Sequence, residues 1–177
     1  MTATTATPPI TDAYTRSLFD ALGDQAPLDV LAATLGAVES IARSVDEATL
    51  RRPEREGKWS MLQVVRHYAD VEVAQSWRFR IVLAEESPAI TAWDQDLWMA
   101  RLWSHDPSLD DVLAQWKAAR EANVRLLRTV HGNEWQRNGL HSERGTETLE
   151  FMVSLTAGHD IVHRRQLERI RAAVTAS

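Results

Sequence analysis

Apolar residues recur at spacings of three and four in four segments of the 177-residue chain. These segments are residues 28–45, 64–81, 109–130 and 152–170. Such spacing places the apolar side chains on one side of an α-helix, as in the helices of a bundle. The sequence contains no convincing strand pattern. We therefore predict an all-α protein in which four long helices bury their apolar sides against one another.

Helix-start and helix-stop signals support these segments. Ser60 followed by Gln63 predicts a capping box at the start of the second helix. Ser108, followed by two aspartates, predicts the start of the third helix, and residues 131–133 (His-Gly-Asn) predict its end. A further short helix is expected at about residues 12–22.

The length of the chain suits one domain. The first ten residues, MTATTATPPI, lack the basic and apolar segments of a secretory signal. We expect residues 1–10 to be a disordered tail and residues 11–177 to form a single domain.

Charge and composition exclude several functional classes. A formal net charge of −5 argues against nucleic-acid binding, which needs a basic surface. No apolar run approaches the roughly 20 residues that cross a bilayer. The chain has no cysteine, so it contains neither disulfides nor thiolate ligands, and we expect a cytoplasmic location. Thiol chemistry would need a thiol supplied from outside.

The connection between the second and third helices, residues 87–107, is long and rich in aromatic residues. It contains Trp93, Trp98 and Trp103, and it is expected to include a short helix over residues 94–102. Long aromatic connections often form lids or binding loops. The alternative is that the tryptophans cover the open end of the core.

Polar residues interrupt two of the four apolar stripes. His67 lies within the second stripe, and the fourth contains Thr156, His159, His163 and Gln166. Burying several polar groups is costly unless each is paired or bound. Residues four apart on a helix lie on the same side, so His159 and His163 can reach one ion. With His67 as a third ligand, coordination positions would remain open for water or substrate. The alternative is three core histidines that hydrogen-bond to neighbours.

Four further polar residues are interpreted from their positions alone. Asn123 on the third stripe is either a partner of a ligand or a buried residue that fixes helix register. His141 lies in a loop that is able to fold over the same end of the bundle. His105 and His131 are expected to face solvent or to cap helices.

Three stretches of the sequence carry a resemblance to a known family, namely GKWSMLQVVRHYADVE (residues 57–72), AWDQDLW (92–98) and HSERGTETLEFMVSLTAGHDIVHRRQLERI (141–170). Together they resemble the DinB-like superfamily, in particular its YfiT-type branch, over residues 28–170. The strongest parts are the Trp-Ser-x6-His start of the second helix and the terminal His-Asp-x2-His-x2-Gln.

The resemblance implies a four-helix bundle of up-down-down-up type, with a long connection between helices 2 and 3. It also implies a divalent metal ion bound by one histidine of the second helix and two of the fourth. These positions are His67, His159 and His163. Some relatives replace one histidine by glutamate, whereas this sequence keeps all three.

The resemblance allows three kinds of function. The first is a thiol-dependent S-transferase that uses a low-molecular-weight thiol, such as bacillithiol or mycothiol, on a small electrophile. Trp93 and Trp98 would then form the apolar wall of the substrate pocket, and Asp94 or Asp96 would supply a polar contact. The second is a hydrolase that uses metal-activated water. The third is a non-enzymatic protein of the damage or stress response.

Cofactor and partners follow from the same site. Three imidazoles suit zinc, nickel, copper and iron, of which zinc and nickel are the expected ions. The expected partners are a small-molecule substrate and, through an exposed helix face, a second copy of the chain. Gln166, Asn123 and His141 are the further candidates for contact with the ligands or the substrate.

Overall fold

The computed structural model of the protein describes residues 12–103 and 105–176. The tail predicted at residues 1–10 lies outside the described residues. The described residues form seven α-helices, namely α1 (Ala13–Leu22), α2 (Pro27–Ala42), α3 (Glu47–Arg51), α4 (Met61–Ala84), α5 (Gln95–Leu102), α6 (Leu109–Leu127) and α7 (Leu149–Thr175). The four long helices, α2, α4, α6 and α7, lie at the four predicted segments. The protein is therefore mostly helical, as predicted.

Side-chain caps fix where the helices begin. Ser60 and Gln63 form the predicted capping box of α4, because each side chain bonds the backbone N–H of the other residue. Ser108 forms the equivalent box with Asp111 at the start of α6. The predicted short helices also form, as α1 and α5.

The predicted end of the third helix was wrong by four residues. α6 ends at Leu127, and a 3-10 helix occupies Gly132–Gln136. Between them, the amides of Thr129 and Val130 donate to the carbonyls of Leu126 and Leu127, so the last turn tightens before residues 131–133 are reached.

The order of contacts between α4 and α6 defines their relative direction. The ring of Tyr68 stacks on that of Trp116 with centroids 4.5 Å apart. One turn further along both helices, Arg120 pairs with Glu72. Contacts that advance together along both chains require the two helices to run parallel.

α4 and α7 meet in the opposite order. The Tyr68 hydroxyl donates to the carbonyl oxygen of Asp160 at 2.7 Å. Two turns further along α4, the Gln75 amide donates to the Thr156 hydroxyl at 2.9 Å, which lies one turn earlier on α7. These two helices are therefore antiparallel.

The buried apolar side chains form two clusters. The first includes Val38, Leu50, Leu62, Trp116 and Ile170. The second includes Leu31, Phe79, Leu127, Met152 and Ile161. Along α4 and α6, the buried polar residues Arg66, His67, Asp70, Glu72, Gln75, Arg78, Arg120 and Asn123 fall mainly between the residues of the two clusters. The interruptions in the apolar stripes thus correspond to a polar layer between two apolar ones.

A small β-sheet corrects the prediction of a purely α protein. Its strands are β1 (Ala89–Ile90), β2 (Asn138–His141) and β3 (Gly145–Thr148). β2 lies in the middle, parallel to β1 and antiparallel to β3. Strands of two to four residues are too short to give a readable alternation of apolar and polar residues. The sheet joins the connection after α4 to the segment before α7.

The stripe assigned to the second helix is also corrected at one position. Trp77 is 66% exposed and does not face the core, whereas neighbouring Arg78 is 7% exposed. No described helix has the length and apolar character needed to cross a bilayer.

Candidate metal centre

Three histidines from two helices converge in the polar layer. His67 is on α4, and His159 and His163 lie one turn apart on α7. A ligand nitrogen from each lies within 4.8 Å of the other two. The Nε2 atoms of His67 and His159 are 3.0 Å apart. The sequence prediction that these three residues come together is met by the geometry.

Burial keeps the three imidazoles neutral. Desolvation, assisted by nearby His163, lowers the pKa of His67 from 6.5 to about 3. Burial also places the pKa of His159 well below its ordinary value and lowers that of His163. All three rings therefore carry a free nitrogen lone pair at neutral pH, the form in which histidine ligates metals.

Gln166 orients one of these rings. Its Oε1 atom lies 2.7 Å from Nδ1 of His163. Because a carbonyl oxygen only accepts, the proton of His163 is on Nδ1, and the lone pair is on Nε2. That Nε2 atom is buried and has no hydrogen-bond partner among the described residues. An unpaired buried acceptor is costly, so this geometry fits a cation.

A cleft of about 170 Å³ opens next to His67 and His159. Its apolar wall comes from α1, α4, α7 and the connection, and consists of Leu18, Val71, Ala74, Trp93 and Leu155. The Trp93 ring lies 6.1 Å from that of His67, measured between centroids. A small molecule in this cleft would therefore touch the histidines and the tryptophan together.

The cleft also contains polar residues that were not predicted to line it. They are Tyr14, Gln75, Arg78, Gln95, Arg144 and Thr156. A signal for Arg78 existed, because it follows His67 by eleven residues, close to three full turns of α-helix. Gln75 and Thr156 lie on α4 and α7, and Gln95 begins α5, whereas Tyr14 comes from α1 and Arg144 from the turn between β2 and β3. No local pattern specifies how these elements meet.

The tryptophans of the connection divide between the two predicted roles. Trp93 lines the cleft. Trp98 packs on Trp93 with ring centroids 4.5 Å apart, but it does not line the cleft itself. Trp103 is buried in the first apolar cluster and donates from Nε1 to Asp70 at 2.8 Å. The connection thus both forms a wall of the cleft and covers the core.

Two other candidates lie away from the cleft. Asp94 caps α5 by accepting from the amide of Leu97 at 2.9 Å. His141 is buried at the end of β2, where its Nδ1 accepts from the amides of Glu143 and Arg144. Neither residue is among those that line the cleft.

Asn123 belongs to a buried ionic network. It donates to Glu72 at 2.6 Å. Arg120 bonds both Glu72 and Asp160 at 2.5 Å. Burial alone would lower the pKa of Arg120, but the two carboxylates raise it above its ordinary value, so the guanidinium stays charged. Asp160 directly follows His159, so the network fixes the part of α7 that carries the histidines.

The cleft has no obvious general base. None of the described residues that line it is an aspartate or a glutamate. Asp160 is committed to Arg120, and Asp70 accepts from the Trp103 indole. Burial raises the pKa of Asp70, but its side chain lies outside the cleft.

Known proteins with similar sequences share most of the chain. A Bacillus subtilis protein named "Putative metal-dependent hydrolase YfiT" is 29% identical over 153 residues, covering 80% of this chain and 82% of that protein. A Bacillus cereus (strain ATCC 10987) protein, "Putative metal-dependent hydrolase", is 26% identical over 129 residues, covering 73% of this chain and 74% of that protein.

Two solved structures share the fold. YfiT from Bacillus subtilis, described as a probable metal-dependent hydrolase with an unusual four-helix bundle topology, matches with a TM-score of 0.73 at 28% identity. The match covers 81% of this chain and 84% of that one. TT2238, described as a four-helix bundle protein, matches with a TM-score of 0.57 at 25% identity, covering 81% of this chain and 96% of that one.

The family follows from the extent of the sequence match. The model of the DinB superfamily matches residues 30–167, which include the second and third predicted helices, most of the first and fourth, and all three histidines. The chain belongs to the DinB superfamily.

Proposed function

We propose that the protein binds a divalent metal ion through His67, His159 and His163 and transfers a small-molecule thiol to an electrophilic substrate. One observation carries the proposal. Three neutral imidazoles, of which His67 and His163 are buried and His159 is partly buried, cluster beside a cleft that is lined by His67 and His159 and by no described carboxylate. A cation bound there would lower the pKa of a thiol or a water that reaches it.

The residues of the chain have separate roles in this proposal. The three imidazoles hold the ion, and Gln166 keeps the proton of His163 on Nδ1. The rings of Trp59 and Trp93 flank His67 at centroid distances of 5.0 and 6.1 Å and limit access of water. The thiolate sulfur would bond to the electrophilic carbon, and the leaving group would depart with the electrons of the broken bond. The thiol proton goes to solvent.

The source of the sulfur must be external. The chain has no cysteine, so it cannot supply a thiolate of its own. A thiol whose proton is removed by metal binding needs no carboxylate base. This is why the composition of the cleft favours thiol transfer.

Hydrolysis is the second candidate, and it is favoured by the names of the relatives. The names of both YfiT and the Bacillus cereus protein contain the words "Putative metal-dependent hydrolase". Water attack usually requires a general base within hydrogen-bond reach. A water molecule in this cleft would lack a carboxylate from any described lining residue.

A conjugation assay distinguishes the two activities. Protein loaded with zinc or nickel is mixed with monochlorobimane and, in turn, cysteine, glutathione, bacillithiol and mycothiol. We expect metal-dependent fluorescence with at least one thiol, its loss in His163→Ala, and its retention in the exposed control His131→Ala. If no thiol is conjugated but an ester, amide or phosphoester is cleaved, hydrolysis replaces thiol transfer.

The remaining features of the proposal have narrower support. An up-down-down-up bundle is supported by the parallel contacts of α4 with α6 and the antiparallel contacts of α4 with α7. A homodimer is supported by Val73 and Trp77 on α4, which are 44% and 66% exposed. We also propose that the metal is zinc or nickel, that the partners are small molecules, and that the protein is cytoplasmic. A role in the stress response would follow if the electrophiles are toxic.

A further inference from the structure

Arg78 is a buried cation without an ionic partner. Its side chain lines the cleft and is 7% exposed. One NH2 group donates to the carbonyl oxygen of Thr91 at 2.9 Å. Among the described residues, no carboxylate lies within ion-pair distance of it. Burial, together with nearby Arg144, lowers the pKa of Arg78, which reflects the cost of holding this charge.

The other arginine of the cleft is already paired. Arg144 forms a two-point contact with the carboxylate of Glu147, which is itself 1% exposed. Glu147 therefore neutralises Arg144 and leaves the charge of Arg78 uncompensated at short range. Glu147 and Glu143 act on Arg78 only from beyond ion-pair distance, and the residues that line the cleft include two arginines and no carboxylate, a composition that attracts an anion.

A second unpaired group lies close to Arg78 along α4. Gln75 donates from Nε2 to Thr156, but its Oε1 atom is buried and has no partner among the described residues. An amide oxygen in this state lacks an N–H or O–H donor. The cleft thus presents a cation that is not paired with a described carboxylate and an amide oxygen that accepts from no described donor.

These groups and the histidines that line the cleft lie at different positions along it. Arg78 follows His67 by eleven residues, so the two Cα atoms are separated by about 16 Å along the helix axis. Helical side chains tilt toward the helix N-terminus, so that of Arg78 extends back toward His67. A molecule held at Arg78 can therefore place its other end beside the histidines.

We propose that Arg78 binds the carboxylate of the small molecule on which the protein acts, and that Gln75 accepts an N–H or O–H group of the same molecule. A guanidinium suits a carboxylate because it donates two parallel hydrogen bonds. The inference rests on the proposed function for the choice of cleft. It adds the class of substrate, namely carboxylates with a nearby donor and an apolar part beside Trp93.

The test compares a charged probe with its neutral counterpart. Hippurate carries a carboxylate, an amide N–H and an aromatic ring, and N-benzoylglycinamide replaces the carboxylate with a neutral carboxamide of similar shape. Isothermal titration is run with the metal-loaded and the metal-free protein. We expect hippurate to bind at least tenfold more tightly than the amide in both forms. Equal affinities of the wild-type protein for the two probes would overturn the inference.

Substitutions then assign the preference to one side chain. Arg78→Met should remove the preference for hippurate while leaving the affinity for the amide within about twofold. Arg78→Gln, which can still donate to Thr91, should behave likewise and covers the case in which Arg78→Met does not fold. Arg137→Met is the matched control, because Arg137 also donates to backbone carbonyls, those of Val82 and Glu85, but lies outside the cleft.

The outcomes separate this inference from the proposed function. If a folded Arg78 variant keeps the preference for hippurate, Arg78 is not the anion site. If the preference for hippurate appears only in the metal-loaded protein and persists in both Arg78 variants, the carboxylate binds the ion. If the preference depends on Arg78 but no thiol is conjugated, the inference stands and the proposed function fails. If a thiol is conjugated but no preference for the carboxylate is found, the proposed function stands and the inference fails.

Discussion

At the scale of single residues, the orientation of His163 depends on Gln166. The 2.7 Å contact between His163 Nδ1 and Gln166 Oε1 selects the tautomer that presents Nε2 to a metal. Partners of this kind typically change metal affinity by roughly 10- to 100-fold when removed. The hydrogen bond is therefore expected to matter for binding of the ion more than for folding.

Replacing Gln166 tests this expectation. Gln166→Leu should weaken zinc binding by roughly 10- to 100-fold, measured by competition with a chromophoric chelator. Gln136→Leu is the control, because Gln136 bonds only the exposed Glu150. An unchanged zinc affinity in Gln166→Leu would mean that the tautomer is fixed by another group.

Arg120 is the residue on which the buried network depends. It is 2% exposed and bonds Glu72, Asp160 and the carbonyl oxygen of Leu31. Its Nε and both NH groups are engaged, a geometry that the single ammonium of lysine cannot reproduce. Removing it leaves two carboxylates buried without a counter-charge.

Arg120→Met is accordingly expected to reduce the free energy of unfolding by about 3–5 kcal/mol. Urea denaturation of the metal-free protein measures this. Arg43→Met is the control, because it removes an exposed arginine that bonds Glu39 and Asp110. It should change the midpoint of urea denaturation little. Similar losses in both variants would contradict a special role for the buried network.

At the scale of elements, α1 approaches α7 closely enough to require a glycine. A Cβ atom built on Gly158 would lie 2.1 Å from the carbonyl oxygen of Leu18. Any side chain there must push α1 away from α7. Because α1 contributes Tyr14 and Leu18 to the cleft, such a movement would also open the wall opposite Trp93.

Gly158→Ala should therefore destabilise the protein by about 1–3 kcal/mol, the usual cost of overpacking. The rate of amide hydrogen exchange should increase most in residues 13–22. Gly36→Ala is the matched control, since a methyl group added to Gly36 on α2 would meet no atom within 4 Å. It should stabilise the protein by about 0.5–1 kcal/mol. Equal effects of the two changes would refute the close approach of α1 to α7.

The connection between α4 and α6 is held by several anchors. Thr91 accepts from Arg78, Trp103 donates to Asp70, and β1 pairs with β2. Movement of Trp93 is therefore expected to be local to the segment between these anchors, and the connection as a whole would stay attached to α4.

At the scale of the whole molecule, metal binding and folding are coupled because the ligands come from two helices. An ion bound only by the folded state stabilises it, by about 2.7 kcal/mol when its free concentration is 100 times the dissociation constant. The stabilisation should depend on His67, which ties α4 to α7.

Metal removal separates a catalytic role from a structural one. Dialysis against a chelator should lower the melting temperature of the wild-type protein and leave that of His67→Ala unchanged. Far-UV circular dichroism should remain helical in both, because the two apolar clusters do not need the ion. If the metal-free protein unfolds completely at 25 °C, the ion is a structural component.

The sequence by itself indicated the four long helices, the caps at the start of two of them, and most of the residues that face inward. The 3.6-residue period brought His67, His159 and His163 onto the inner faces of two helices, because periodicity is a property of each segment alone. The resemblance to a family then placed these residues at one site. Ser60, Ser108 and the short helices α1 and α5 were also readable from local signals.

Tertiary structure alone decided which polar groups meet. Arg120 joins Glu72 and Asp160 across separations of 48 and 40 residues, and no local pattern specifies such a pairing. The sheet was missed because its strands are too short to show a period. Arg78 is a functional candidate only because the folded chain buries it in a cleft where no carboxylate pairs with it. Such burial depends on how the helices pack against one another, and the sequence of a single helix does not specify that packing.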